Sequence, residues 1–474
     1  MTFHVNLVGR KDLSGEIYRQ FRQAIACGRL RPSDLLPATR ELACSLKVSR
    51  MTVTVAYERL AGEGFVTARV GSGTRVSRHV SSSRRNSDDR HVGKALSPRP
   101  IWDSIPLPTP FAEPAQFEFR TGLPSSAVFP HQLWRRLISR ELREGPTSAG
   151  VYGPPAGHRL LREAIARHVG VARGVRATAN EITITSGAQQ ALDIVARTLL
   201  KPGDRVAVED PGYLPPRLLF KSLGLRVQGV PVDDQGIVVD ALPRDTRLVY
   251  VTPSHQYPLG FAMSLPRRLG LLDWARRNDA AIIEDDYDSE FRFEDRPIEA
   301  LQSIDKTGRV LYVGSFSKSL LPTLRLGFLI SPSSCTVAIH KAKFVTDWHS
   351  SMLTQSTLAR FIDNGGFARH IRKVSRLYRD RRRLVIGILQ RAFRDELDVV
   401  PSVAGLHITA VSRFASVKTI RAIARRAGER GVRLQELAYF CVDTPPRGGF
   451  LFGYGAISGA EIEEGLQRLR QCFV

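Results

Sequence analysis

The sequence predicts two domains of different class, a small N-terminal α+β unit and a larger α/β unit, joined by a polar tether. Three observations lead there. Residues 14–76 hold three helix-period segments followed by an alternating pair of strands. Residues 77–100 lose all apolar periodicity. From about residue 117 to 474, short β-rich runs alternate with helical stretches, the order that builds a parallel sheet with helices on both faces. At 474 residues the chain is also longer than one ordinary core fills.

Bulk properties narrow the function class. A hydrophobic content of 43% and a charged content of 24% are those of a globular protein. The net charge of +23 points to a polyanionic partner, nucleic acid before a membrane surface. No apolar run approaches the ~20 residues of a spanning helix, and the N-terminal residues lack a signal-peptide core. The five cysteines are odd in number, scattered and without a C-x-x-C pair, which excludes a disulfide framework or a zinc site. Reduced thiols in the cytoplasm are expected, mostly as small core residues, with Cys472 at the surface.

In the first segment Ile17, Phe21 and Ile25 recur at helical spacing between Ser14 and Cys27, and Gly28 stops the helix. A second helix, Thr39 to Leu46, follows Leu36-Pro37. Lys47-Val48-Ser49 turns the chain, and Ser49 is placed to cap a third helix through Ala61. F-V-T-A-R-V and T-R-V-S then read as a hairpin closed by Gly71-Ser72-Gly73. Three helices and a two-stranded wing make a winged helix-turn-helix. Residues 1–76 carry 12 Lys and Arg against 6 Asp and Glu. Arg50, Met51, Thr52 and Thr54 fall near the start of the third helix, where a recognition helix meets base edges. The expected DNA-facing set is Arg40, Ser49, Arg50 and Thr52, with Arg69, Gly73 and Arg75 around the wing.

Residues 77–100 contain six Ser and six Lys or Arg against two Asp, the composition of a flexible tether. Ile101 to Pro114 is Pro-rich and extended. The expected boundaries are therefore 1–76, a linker over 77–116, and 117–474.

In parallel sheets ligands collect beyond the carboxyl ends of strands, so the residues there carry the chemistry. Five runs read as strands: 182–185, 205–209, 248–252, 280–284 and 309–313. After the first, Ser186-Gly187-Ala188-Gln189 opens a helix whose N–H groups suit a phosphate. After the second, Tyr213 stands where a ring could stack on a planar ligand. The fourth ends in Glu284-Asp285-Asp286-Tyr287-Asp288, which lacks the Gly and Glu spacing of a calcium loop. A carboxylate just past a buried strand suits a protonated ring nitrogen. Eleven histidines show no ligand spacing, so no metal is expected. The fifth strand runs into G-S-F-S-K-S-L-L-P-T-L-R-L-G-F, residues 314–328. A lysine at the end of a core strand is costly as an ammonium, and its fitting use is a Schiff base with a carbonyl. Neighbouring hydroxyls and a downstream Arg suit a phosphate.

The first domain resembles GntR-type bacterial regulators through L-P-A-T-R-E-L-A, V-S-R-M-T-V-T-V-A-Y-E-R-L-A-G-E-G and the G-S-G-T wing. Residues from about 117 to 474 resemble a fold-type I aminotransferase. The whole chain resembles the MocR/PdxR subgroup of GntR regulators, in which that domain senses a ligand. The resemblance implies pyridoxal 5′-phosphate (PLP) held by Lys318, with Asp285 at the pyridine nitrogen, Tyr287 at the 3′-oxygen and Tyr213 stacked on the ring. It gives Ala188, Gln189, Ser315, Ser317 and Arg325 to the phosphate, and Tyr152, in V-Y-G-P-P-A-G, to the phosphate of a partner subunit in a homodimer.

Three departures stand out. Tyr257 occupies the place of the usual Asn at the 3′-oxygen, leaving His255 or Gln256 as substitutes. The phosphate Arg follows the lysine by seven residues, a spacing that suits the regulators. Leu451 stands where the substrate-carboxylate Arg is expected, with Arg447 close by. Without that anchor efficient turnover is not expected. The reading is a transcription regulator binding operator DNA, with PLP itself or an amine or amino acid as effector. The alternative is a working aminotransferase with a fused DNA-binding domain.

Overall fold

The computed structural model describes residues 5–7, 12–69, 73–77, 96–107, 115–145, 150–293, 299–402 and 404–473. It divides into two compact units, Met1–Ser97 and Pro98–Val474. The wing tip at 70–72 and most of the expected tether lie outside the described residues.

In the smaller unit the helices are α1 (Leu13–Ala26), α2 (Thr39–Leu46) and α3 (Arg50–Gly62). Their apolar positions Ile17, Phe21, Leu42, Val53 and Leu60 are buried together. Lys47 takes a left-handed conformation (φ 54°) that ends α2 and turns the chain toward α3. The Ser49 hydroxyl accepts from Thr52 N at 3.1 Å, satisfying one of the free N–H groups at the start of α3. Strands β1 (Val66–Arg69) and β2 (Gly73–Val76) pair antiparallel, and Leu35 bridges to Arg75 on the far edge of β2. Ser33 has φ 72°, a conformation that favours glycine, in the loop before Leu36-Pro37.

The larger unit is built on an eight-stranded sheet. Its strands lie in the order Ile182–Thr185, Gly327–Ile330, Val310–Ser315, Ala281–Asp286, Thr246–Val251, Arg205–Asp210, Arg226–Asp233, Gly236–Ile237. The central strands pair parallel and are buried on both faces, which explains their continuous apolar runs. Gly327–Ile330, not among the five expected strands, runs antiparallel to both neighbours. The eleven residues between it and Ser315 hold no helix long enough for a crossover, so the chain folds straight back. A second, antiparallel sheet of Leu397–Val399, His407–Ser412, Gly449–Gly453 and Gln435–Glu436 carries the C-terminal core. A 27-residue helix, Gly366–Ala392, packs Val374, Tyr378, Val385 and Leu389 into that core.

Two further differences from the sequence reading are local. Residues 98–107, inside the expected linker, belong to the larger unit: Pro100–Ser104 form a 3-10 turn and Arg99 donates to Ser222 O at 3.2 Å. Cys472 is buried in the C-terminal core, while Cys27 and Cys44 are exposed. The apolar environment beside Phe450 and Leu469 takes the small thiol as a hydrophobe. Among the described residues no helix is long and apolar enough to cross a membrane.

Removing the α3 cap should weaken the smaller unit without touching the larger one. Ser49→Ala is expected to cost about 1 kcal/mol of that unit's stability and Ser49→Gly only a few tenths, measured by denaturant unfolding followed in the N-terminal unit by hydrogen exchange.

Candidate functional site

The carboxyl ends of the central strands open into a cavity of about 330 Å³. Nine of the ten expected cofactor residues line it: Lys318, Asp285, Tyr287, Tyr213, Ala188, Gln189, Ser315, Ser317 and Arg325. Sheet order makes this possible. Ala281–Asp286 and Val310–Ser315 are parallel neighbours with Asp285 beside Val313, so Asp285 and the segment after Ser315 emerge side by side.

The Lys318 amine donates to Gly122 O at 2.7 Å. Burial holds its pKa below the ordinary lysine value, against the opposing pull of Asp288 and Asp285. Gly122 has φ 74°, and a Cβ there would come within 2.7 Å of Lys318 Nζ. The positive φ favours glycine there, and the missing side chain leaves room for the amine. Asp285 is buried; Tyr250 OH donates to its Oδ2 at 2.6 Å, while its Oδ1 has no partner among the described residues. Desolvation pushes its pKa up to about 6, with Asp286 adding to the rise. A buried carboxylate oxygen without a donor is costly, and an N–H presented from the cavity side would satisfy it.

The opposite end of the cavity is built for an anion. Helix Ala188–Leu199 begins there, capped by Gly187 at φ 86°. The Arg325 guanidinium donates to Ser186 O at 2.6 Å, and a Cβ on Gly187 would meet it at 3.2 Å. Helix N–H groups and an Arg converge where Ser315 and Ser317 also face the cavity. The Ser315 hydroxyl also accepts from Ser317 N at 3.1 Å.

Tyr213 stands edge-on to Tyr257 with ring centroids 5.5 Å apart. Tyr257 itself lines the cavity and its hydroxyl lies 2.8 Å from Thr121 Oγ1. Neither His255 nor Gln256, the expected substitutes at the 3′-oxygen, reaches the cavity wall. Gln256 Nε2 donates to Pro211 O and Tyr257 O, at 3.0 and 2.7 Å, and so holds backbone. His255 Nδ1 lies 3.0 Å from Asp288 and 2.9 Å from Tyr287 OH, so it positions Tyr287 from behind.

Linear spacing hid one grouping: His255, Asp288 and His407 place ligand-type atoms within 4.8 Å of one another. His255 Nε2 lies 3.2 Å from Ser402 Oγ and His407 Nε2 3.0 Å from Pro258 O. Burial brings the His407 pKa down to about 3, a neutral imidazole. Asp288 and His407 line the cavity, and His255 lies behind them, hydrogen-bonded to Asp288. Gly122, Tyr250, His407 and Gln435 also escaped the sequence reading; of these only Tyr250 left a signal, a hydroxyl inside an apolar strand that had to find a partner.

Leu451 is buried in the core on its strand, and Arg447 is exposed and does not line the cavity. Arg120 does line it, paired with Glu118 at 3.1 Å. Tyr152 lies outside the cavity, 76% exposed and stacked on Trp348 at 4.6 Å.

In the smaller unit Arg40, Ser49, Arg50 and Met51 are exposed and Thr52 is half-buried at the start of α3. Arg50 Nε reaches Thr39 Oγ1 at 3.4 Å, joining the starts of α2 and α3. Arg75 is exposed and donates to Ser33 O at 3.0 Å. Gly73 has φ 77°, and a Cβ there would meet Leu35 at 2.9 Å. Arg69 ends β1, and its side chain lies outside the described residues.

A winged helix-turn-helix joined to an aminotransferase-type domain defines a DNA-binding regulator built on an enzyme's fold. Residues 13–76 match the family described as bacterial regulatory proteins of the gntR family, and 129–448 match aminotransferase class I and II. The chain is 36% identical to the probable rhizopine catabolism regulatory protein MocR of Rhizobium meliloti, over 97% of this chain and 93% of that one. It is 32% identical to the pyridoxine biosynthesis transcriptional regulator PdxR of Corynebacterium glutamicum, over 93% and 91%. The larger unit resembles the kynurenine aminotransferase of Pyrococcus horikoshii, with TM-score 0.69 and 27% identity over 75% of this chain and 90% of that one. The chain belongs to the MocR-type transcriptional regulators of the GntR family.

The lowered lysine pKa has a direct test. An ordinary lysine side chain titrates near 10.4, so Lys318 should react with a small amine-directed reagent at a lower pH than a free lysine does. Asp285→Asn removes a charge that favours the ammonium, so the onset should move lower still. Peptide mass mapping across a pH series measures both.

Proposed function

We propose that the larger unit binds PLP through Lys318 and senses an amine effector, or PLP itself, and that this state governs operator binding by the winged helix. The observation that carries the proposal is the partnerless Asp285 Oδ1 facing the same cavity as a desolvated lysine amine and an Arg at a helix N-terminus. These residues fit PLP: a ring N–H for Asp285, a phosphate for Arg325, Ser315, Ser317 and the N–H groups of Ala188 and Gln189, and an aldehyde for Lys318. PLP supplies an electrophilic aldehyde carbon on an electron-poor ring. Tyr213 would cover the ring face, and Tyr287, held by His255, would take the 3′-oxygen side. Tyr152, exposed on the surface, is available to the phosphate of a second copy, which gives a homodimer.

The far side of the cavity supports regulation over turnover. An α-amino acid is held in register by a fixed guanidinium worth roughly 1.5–3 kcal/mol as a charged hydrogen bond, and the expected strand position holds buried Leu451. Proton transfer at the lysine needs the substrate oriented to within a fraction of an ångström. The cavity therefore favours binding and exchange of an amine over repeated transamination. Assignment of DNA to residues 1–76, of the intervening stretch to a tether and of effector binding to the remainder belongs to the same reading.

Lys318→Ala should abolish both the visible absorbance of the PLP-loaded protein and the effector response, leaving basal operator binding in place. Absorbance spectra, borohydride reduction with peptide mapping and DNA binding with and without added amine check this. An unchanged response in the variant would overturn the sensing role. A second assay, keto-acid formation from a panel of amino acids, separates the regulator from the enzyme, and sustained multiple turnovers would favour the latter.

A further inference from the structure

Helix Gly366–Ala392 carries nine Lys or Arg and one acid, Asp380. Its buried residues Phe367, His370, Val374, Tyr378, Val385 and Leu389 fall on one stripe facing the core. At 100° per residue, Arg369, Arg372, Lys373, Arg376, Arg379 and Arg383 cluster on the opposite face, with Arg391 two turns further on. Five of these six are exposed and Arg379 is half-buried. The two remaining arginines point elsewhere and are spent on structure. Arg381 donates to Gly455 O at 2.6 Å and Arg382 donates to Ser402 O.

An ordinary solvated helix face in this protein mixes its charges. Arg140 pairs with Glu144, Arg159 with Glu163, Arg197 with Asp193 and Arg468 with Glu464, each one turn away. Among the described residues none of the six cations on this face, nor Asp380, has an ion-pair partner. Like charges one turn apart repel, so the face is maintained at a cost to the helix. Residues 98–474 as a whole carry 52 Lys and Arg against 38 Asp and Glu, so more of the chain's positive charge lies here than in the winged helix.

We propose that this face is a second, sequence-independent DNA-binding surface, contacting backbone phosphates outside the operator bases read by the winged helix. From Arg369 to Arg391 the strip is about 33 Å long at 1.5 Å per residue, close to the ~34–36 Å of one turn of B-DNA. Arg presents a planar fork that matches phosphate oxygens, and five of the six core positions are Arg. DNA is already the partner of this family, and tethering to an operator-bound unit raises the local concentration of flanking phosphates. The surface adds affinity and salt dependence without base specificity.

The test uses the full-length protein and an operator fragment in two lengths, one covering the winged-helix site alone and one with flanking DNA. The triple variant Arg372→Gln, Arg376→Gln, Arg383→Gln should bind the long fragment roughly tenfold or more weakly, with a salt slope smaller by about 2–3. On the short fragment it should bind like the parent. A control with the same charge loss elsewhere, Lys201→Gln, Arg244→Gln, Lys306→Gln, should behave like the parent on both. Lysine replacements at 372, 376 and 383 keep the charge and should restore the slope, which separates phosphate contact from damage to the helix. Equal effects of the face and control variants, or no change in slope with flanking DNA, would overturn the proposal. So would loss of binding to anionic-lipid vesicles with DNA binding intact.

Discussion

The larger unit depends on the cost of keeping one amine out of water. Lys318 sits where desolvation works against its charge, and its amine donates to the backbone at Gly122 O. The parallel pairing of Ala281–Asp286 with Val310–Ser315 sets Asp285 beside that amine. The reversed strand Gly327–Ile330 returns the chain so that Arg325 meets the helix start at Gly187. That return is tight: a Cβ on Gly327 would lie 2.9 Å from Gly187 Cα. Two glycines in contact allow the anion end of the cavity to close on itself.

The acidic run 284–288 shows how a strand distributes charge. Successive side chains point to opposite faces, so the run is not one cluster. Glu284 turns away from the cavity and accepts from Leu301 N and Gln302 N, both at 2.8 Å. Asp286, on the same side, pairs with buried Arg173 at 2.8 Å. Asp285 faces the cavity, as does Asp288 beyond the end of the strand. The sheet thus separates Glu284 and Asp286 behind from Asp285 in front, while Asp288 lines the cavity bonded to His255. Desolvation and its acidic neighbour push Glu284 up to about 7, a buried carboxyl kept in place by backbone donors.

Much of this was legible in the chain, and the legible part has a common origin. Lys318, Asp285, Ser315 and the turn at Ser186–Gln189 all follow directly from apolar strands, so local pattern places them at the sheet's ligand-binding edge. The winged helix is legible for a similar reason: Ser49 and Lys47 punctuate helices whose apolar period is unambiguous. Gly122, Gln435 and His407 are different, because each reaches the cavity from a segment with no strand-end signal of its own. Their placement depends on long-range packing of the C-terminal sheet. The direction of Gly327–Ile330 and the burial of Cys472 are likewise set by what packs around them.

The same distant segments supply a physical route from the lysine to the rest of the domain. Gly122 belongs to a short loop whose neighbour Thr121 is held at both N and Oγ1 by Gln435 Oε1, at 2.8 and 2.7 Å. Phe119 O accepts from Gly453 N at 2.8 Å, so the loop is stitched to the C-terminal sheet as well. On the proposed reading, an amine held by PLP would leave Gly122 O without its donor, and a released amine would restore that bond. A ligand can shift a conformational equilibrium only through such a difference between states. On the proposed reading, the occupancy of Gly122 O by Lys318 is that difference. The Arg120–Gly122 loop is the first element to register it, because Gly122 lies directly against the amine and its neighbour Thr121 is anchored to the C-terminal sheet.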